Sequence, residues 1–146
     1  MVTQGSAGEC SLRYGSDAMD FAKVTAMLAT AFWCEGISED EVRRGAENSA
    51  LVVGAFLGGK QVGYTRAISD KTRFAYILDV YVDERFRRRG IGQMMVRGIL
   101  GHEDLKDVYQ WFLITKDAHG VYEKLGFRVT ARPGDWMEIR TPRPRR

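Results

Sequence analysis

Tyr76-Ile77-Leu78-Asp79-Val80-Tyr81-Val82, Arg87-Arg88-Arg89-Gly90-Ile91-Gly92 and Gln93-Met94-Met95-Val96-Arg97-Gly98-Ile99-Leu100 follow one another along the chain. The first stretch is apolar enough for a central strand. The third offers Ile91, Met94, Met95, Ile99 and Leu100 to pack on a sheet. Between them lie two glycines and three arginines. The arrangement reads as strand, glycine turn, helix, with cations at the turn. The first backbone N–H groups of a helix point outward without intrahelical partners. Gly90 and Gly92 allow a tight turn and close approach of a ligand. The helix dipole favours an anion there, and arginine forks add paired donors. Three arginines alone would be a solvated surface. Their position at this turn predicts a seat for a phosphate-bearing ligand. The stretch lacks the Lys-Ser/Thr ending of a P-loop, and its spacing is wrong for a dinucleotide Gly-x-Gly-x-x-Gly element.

Upstream, Phe21, Val24, Met27, Leu28, Ala31 and Phe32 recur at helical spacing over residues 20–32, with Asp17 and Asp20 as candidate caps. Gly36 interrupts that helix. Ser38 followed by Glu41 has capping-box spacing and starts a second, exposed helix reaching about Glu47. Residues 50–57 and 61–68 read as a hairpin around Gly58-Gly59. Residues 74–82 form the longer central strand. Gly101 stops the helix that follows. Downstream, residues 108–114 read as a core strand. Asp117 is placed to cap a short helix over residues 118–125, which Gly126 ends. Phe127-Arg128-Val129 and Trp136-Met137-Glu138-Ile139 read as final strands around Pro133-Gly134. Leu12-Arg13-Tyr14 reads as a short edge strand. The order predicts an α/β (α+β) layered domain with a mixed sheet flanked by helices.

The chain has 146 residues, which fits one domain with a sizeable core. That domain is expected over residues 11–140, between a loose N-terminus (1–10) and a basic tail (141–146). The net charge of +3 is modest, and no basic stripe interleaved with aromatics argues for nucleic acid. Cys10 and Cys34 make no disulfide framework and suit a reducing compartment. His102 and His119 stand in no metal-ligand cluster, so no metal is expected. No secretory signal or membrane-length apolar run occurs, which predicts a cytoplasmic protein.

At the turn, Arg87, Gly90 and Gly92 match the Arg/Gln-x-x-Gly-x-Gly/Ala motif by which the chain resembles the GCN5-related N-acetyltransferase (GNAT) family. A second segment, Tyr122-Glu123-Lys124-Leu125-Gly126-Phe127, resembles that family's late Tyr-x-x-x-Gly-Phe motif. Together the motifs and the element order cover about residues 12–139. The resemblance implies a single-domain, mixed but mostly antiparallel sheet. It implies acetyl-CoA as co-substrate, its pyrophosphate cradled by main-chain amides of Arg88, Arg89, Gly90, Ile91, Gly92 and Gln93 beside Arg87. It implies that the strand at Val80, Tyr81 and Val82 splays from its neighbour and bonds the pantetheine arm. Thr115 stands where many members carry Asn, so contacts near the thiol differ there, with Thr115 or His119 contributing.

Acetyl transfer needs a neutral amine held against the carbonyl, donors for the developing oxyanion, and a proton or hydrogen bond for the leaving thiolate. The resemblance gives the last role to Tyr122. The bland alternative is a half-buried helix aromatic. Asp79 is the candidate base or amine ligand; the alternatives are a bulge residue, or direct attack with water removing the proton. No carboxylate stands near Tyr76, where several relatives carry a strand glutamate. Phe32, Trp33 and Glu35, with Tyr76, are the candidate acceptor contacts. Cys34 has no histidine partner at a readable spacing. The expected acceptor is an amine of a small molecule or a protein. The rival reading is a silent acetyl-CoA-binding protein. Monomer and homodimer both remain open.

Overall fold

The computed structural model describes residues 9–143. Most of the expected loose N-terminus (residues 1–8) and the end of the basic tail (residues 144–146) lie outside the described residues. The chain divides into two compact bodies, Met1–Ile114 and Thr115–Arg146.

The first body is built on one five-stranded sheet of β1 (Ser11–Tyr14), β2 (Leu51–Leu57), β3 (Lys60–Ser69), β4 (Phe74–Val82) and β5 (Gln110–Phe112), in that spatial order. The first three pairings are antiparallel and β4 pairs β5 in parallel. A mixed, mostly antiparallel sheet is therefore present, as the sequence predicts. The β2–β3 hairpin closes through Gly58 and Gly59, both at positive φ (56° and 80°). That is the geometry a two-residue hairpin turn with native twist requires.

Helices α1 (Phe21–Leu28) and α2 (Glu39–Glu47) cover one face of this sheet. Asp20 accepts a hydrogen bond from Lys23 N at 3.1 Å and caps α1; Ser38 accepts from Glu41 N at 3.2 Å and caps α2. Phe21, Val24, Leu28, Val42, Val52, Phe56 and Tyr64 form the core on this side. Each such side chain contributes about 1.5–3 kcal/mol by leaving water. Helix α3 (Ile91–Leu100) covers the opposite face. Its Met95 fills the space beside Gly63, whose neighbour Tyr64 points to the α1 side. The residues linking α1 to α2 are held by Gly36 N donating to Ala29 O (3.0 Å) and by the buried Cys34 thiol donating to Leu28 O (3.3 Å). Cys34 thus serves as a staple of that connection.

The second body contains α4 (His119–Glu123) and a single 3₁₀ turn, Pro133–Asp135. Here the structure departs from expectation. Neither residues 127–129 nor residues 136–139 form a strand among the described residues. Trp136 is extended (φ −92°, ψ 134°), but extension alone makes no strand without a ladder partner. Met137 and Ile139 are 95% and 96% exposed. Other elements are shorter than their patterns suggest. Helix α1 stops at Leu28, before Phe32, because beyond Ala29 the bonds tighten to three-residue turns, Thr30 N to Met27 O and Ala31 N to Leu28 O. β5 keeps only three of the residues of its apolar run. α4 is preceded by Ala118, not capped by Asp117; Thr115 Oγ1 accepts from Ala118 N at 3.0 Å instead.

Candidate active site

The central strand carries an irregularity that the sequence pattern does not reveal. Tyr64 of β3 faces Tyr81, whereas Arg66 faces Leu78. One residue, Thr65, therefore stands opposite two, Asp79 and Val80, which defines a bulge in β4. Asp79 sits at φ +56°, a left-handed backbone that Asp tolerates better than most residues. The bulge resets side-chain parity. Leu78 and Tyr81, three residues apart, share the α1 face, while Val80 and Val82 approach Gly92 on the α3 side.

The β4–β5 ladder ends before the bulge is reached. β5 pairs only with Phe74, Ala75 and Tyr76 of β4. Residues 77–82 have a strand neighbour only in β3 among the described residues. Tyr76, expected to contact the acceptor, occupies the last rung, opposite Phe112. The Val80, Tyr81 and Val82 backbone thus has no strand partner on its β5 side among the described residues.

Beyond Val82 the chain is held by Asp83, which is only 8% exposed. Its carboxylate accepts from Arg85 N (3.0 Å), Arg85 Nε (3.2 Å) and Lys23 Nζ (2.6 Å). The Arg85 guanidinium first, then Lys23, hold this carboxyl well below the usual carboxylate range. Asp83 N donates to Val62 O, which ties the turn to β3. Arg87 Nε then donates to Val82 O at 2.9 Å, and its guanidinium lies 4.9 Å from the Tyr81 ring centre. Arg88 and Gly90 both take positive φ (65° and 78°), so successive amides curl into a concavity of the anion-binding kind. Gly90 precedes α3 without a side-chain cap. The first intrahelical bond is Met94 N to Gly90 O, so Ile91, Gly92 and Gln93 present the opening amides. A Cβ at Gly92 would sit 3.7 Å from Val82 and 3.9 Å from Val80, in ordinary contact. The phosphate cradle and the divided strand therefore adjoin, and both fit a phosphate-ended ligand with an extended polar arm. Arg87, Arg88 and Arg89 are all exposed at this loop.

Of the expected acceptor residues, Phe32, Trp33 and Glu35 lie on the segment between α1 and α2. Trp33 Nε1 donates to Asp79 Oδ1 at 3.0 Å, and its ring centre is 6.4 Å from that of Tyr81. Phe32 meets Trp33 edge-on at 5.1 Å. Glu35 is exposed on the same segment. Asp79 Oδ2 accepts from Arg66 Nε at 2.8 Å, with side chains 11% and 18% exposed. Arg66 continues to Gly45 O and Ser49 Oγ at the end of α2. The structure thus brings Trp33, Phe32, Asp79, Tyr81 and Arg87 together. It adds four groups that sequence reasoning missed: Thr30, whose hydroxyl is 2.8 Å from Tyr81 Oη, then Thr65, Arg66 and Asp83. Asp83 alone had a local signal, an Asp at a strand end followed by its own turn.

In the second body Tyr122 is half-buried, its ring edge-on to Phe127 at 6.0 Å. Burial pushes its phenol pKa up. Gly126, at φ +99°, lets Phe127 N return to Tyr122 O (3.1 Å). The Tyr-x-x-x-Gly-Phe spacing therefore builds this local ring pair. Among the described residues no cluster of His, Cys, Asp and Glu is suited to a metal ion, and no helix is long and apolar enough to cross a membrane.

Comparison with known proteins agrees with this geometry. A solved GNAT-family protein from Xanthomonas campestris pv. campestris is 31% identical, with TM-score 0.85, covering 91% of this chain and 94% of that one. A structure from Deinococcus radiodurans R1 has TM-score 0.74 at 22% identity, covering 96% and 93% of the two chains. A structure from Clostridium acetobutylicum, crystallised with acetyl-CoA, has TM-score 0.68 at 18% identity, covering 90% and 96%. No curated protein matches the chain. The profile of the acetyltransferase (GNAT) family matches residues 21–127, and the chain belongs to that family.

Proposed function

We propose that the protein is an acetyl-CoA-dependent N-acetyltransferase acting on an amine of a small molecule or a protein. The observation that carries this reading is the bulged, divided β4 standing beside the uncapped opening of α3. Acetyl-CoA supplies an activated thioester. Arg87, Arg88, Arg89, Gly90, Ile91, Gly92 and Gln93 hold its pyrophosphate. Val80, Tyr81 and Val82 receive the pantetheine arm, and family membership assigns Thr115 to contacts near the thiol. The acceptor rests against Phe32, Trp33, Glu35 and Tyr76. The catalytic domain spans residues 11–140 and works in the cytoplasm, where the Cys10 and Cys34 thiols stay reduced.

The neutral amine attacks the carbonyl carbon directly in a ternary complex. Main-chain N–H groups at the bulge bear the oxyanion. The C–S bond then breaks and sulfur takes the electron pair. The ammonium proton leaves through water. Tyr122 is the donor to the thiolate. A phenol with a raised pKa keeps its proton at neutral pH. Full transfer to a thiolate of ordinary basicity is uphill by about 2 kcal/mol or more. Tyr122 therefore acts chiefly through a hydrogen bond that strengthens as charge builds on sulfur. Asp79 is the carboxylate at the reacting end. With both oxygens engaged by Arg66 and Trp33, it holds the acceptor segment against the bulge, and direct attack needs no carboxylate base.

Calorimetry with acetyl-CoA and CoA tests the cofactor half; absence of binding by both overturns the reading. A panel of amines assayed by thiol release tests the transfer half. Tight acetyl-CoA binding with no thiol release from any amine would instead identify a silent acetyl-CoA-binding regulatory protein.

A further inference from the structure

Thr65 is fully buried, yet it is a polar residue in the middle of a core strand. Its neighbours Tyr64 and Arg66 point to the α1 face, so Thr65 lies on the α3 side of β3. Its hydroxyl donates to Leu78 O at 3.0 Å. Leu78 is the last residue of β4 before the bulge. The bond therefore ties the residue opposite the bulge to the carbonyl that enters it. The Leu78 carbonyl and the Val80 N–H are separated only by the backbone of Asp79. Holding that carbonyl fixes the peptide plane from which the Asp79 rotations start, and with the Asp79 side chain also gripped these rotations set the direction of the Val80 N–H. Asp79 holds a left-handed conformation at φ +56°. A residue with a side chain adopts that conformation at a cost and keeps it only when its surroundings enforce it. On the α1 face Arg66 and Trp33 grip the Asp79 side chain. On the α3 face the grip on the backbone is the Thr65 hydroxyl.

We propose that Thr65 is a positioning residue for acetyl transfer, its buried hydroxyl holding the β4 bulge so that the Val80 N–H is aimed at the thioester carbonyl. This rests on the reading that the bulged strand receives acetyl-CoA. Thr65→Val keeps the shape and removes the hydroxyl donor to the Leu78 carbonyl. Thr65→Ser keeps the donor.

The test uses the full chain with CoA and with acetyl-CoA carrying ¹³C at the carbonyl. Calorimetry measures affinity, and infrared difference spectra measure the thioester carbonyl stretch. The wild type is expected to bind both ligands and to lower the stretch through the Val80 N–H. In Thr65→Val the shift is lost and turnover falls by about tenfold or more, while CoA affinity stays within about threefold. Thr65→Ser restores both shift and turnover. Retention of the full shift in Thr65→Val overturns the proposal. So does an equal loss of CoA affinity and turnover, which marks a structural threonine. If Thr65→Val does not fold, Thr65→Ala and Thr65→Cys carry the same comparison. Failure of the wild type to bind either ligand defeats the acetyltransferase reading itself, and is thereby distinct from failure of the role of Thr65.

Discussion

Replacing Asp79 with Asn separates two roles for the carboxylate. The Arg66–Asp79 contact is 2.8 Å long between side chains 18% and 11% exposed. Removing one partner of a buried ion pair costs about 3–5 kcal/mol. The Asn variant falls below that range. Its amide oxygen still accepts from Trp33, Asn tolerates the left-handed backbone, and Arg66 retains Gly45 O and Ser49 Oγ. A loss of about 2–3 kcal/mol follows from those retained bonds. For a chain of this length it lowers Tm by roughly 5–10 °C. Arg66→Met should cost a similar amount. The double variant should be no less stable than the worse single one, giving a coupling of at least about 2–3 kcal/mol. Thermal unfolding followed by circular dichroism measures the cycle. Thiol release, assayed well below the lowered Tm, measures turnover. If Asp79 holds the acceptor segment in place, the acceptor KM rises more than kcat falls, and the pH profile keeps its shape. An unchanged Tm, with kcat reduced about a hundredfold and recovering at high pH, would refute this reasoning and make Asp79 a general base.

On the proposed role of Tyr122, Tyr122→Phe should lower turnover by about tenfold or more while leaving CoA affinity within about threefold, since that role requires only the hydroxyl. Equal losses would mark a structural tyrosine. Asp83→Asn should destabilise the protein by about 1–2 kcal/mol at pH 7 through loss of its charge-assisted bonds. Because the folded pKa of Asp83 is depressed, its contribution is complete above the unfolded value near 4 and is lost as pH falls through the folded value. The Tm difference between wild type and Asp83→Asn should therefore shrink as pH falls below about 4; a constant difference from pH 7 to pH 2 would exclude the linkage.

Local chemistry made much of the fold readable. The Gly58-Gly59 turn, the Asp20 and Ser38 caps and the glycine entry to α3 each follow from a few neighbouring residues, and each is present. The parity of β4 was not readable. An apolar run such as Ile77-Leu78-Asp79-Val80-Tyr81-Val82 does not say which residue is the additional one. Only the pairing with β3 assigns Tyr81 to the α1 face and Val82 to the α3 face. The Arg66, Asp79 and Trp33 network joins residues 13 and 46 positions apart, a distance across which no periodicity carries information. The terminal segments show the opposite error. Trp136-Met137-Glu138-Ile139 has strand composition, but a strand is a property of a pair.

The early end of the β4–β5 ladder makes part of this strand an unfinished piece of secondary structure. Its backbone is secured along one margin by β3, and along the other no strand pairs with it beyond Tyr76 among the described residues. A ligand lying in that gap would become, in hydrogen-bonding terms, a temporary sixth strand without amino acids. Substrate occupancy would then be recorded in amide hydrogen exchange. Residues 80–82 would exchange quickly in the free protein and slowly in the loaded one, while residues 74–76, already sandwiched between two strands, would change little. Part of the binding free energy goes into ordering the enzyme's own backbone, so affinity and local rigidity rise together.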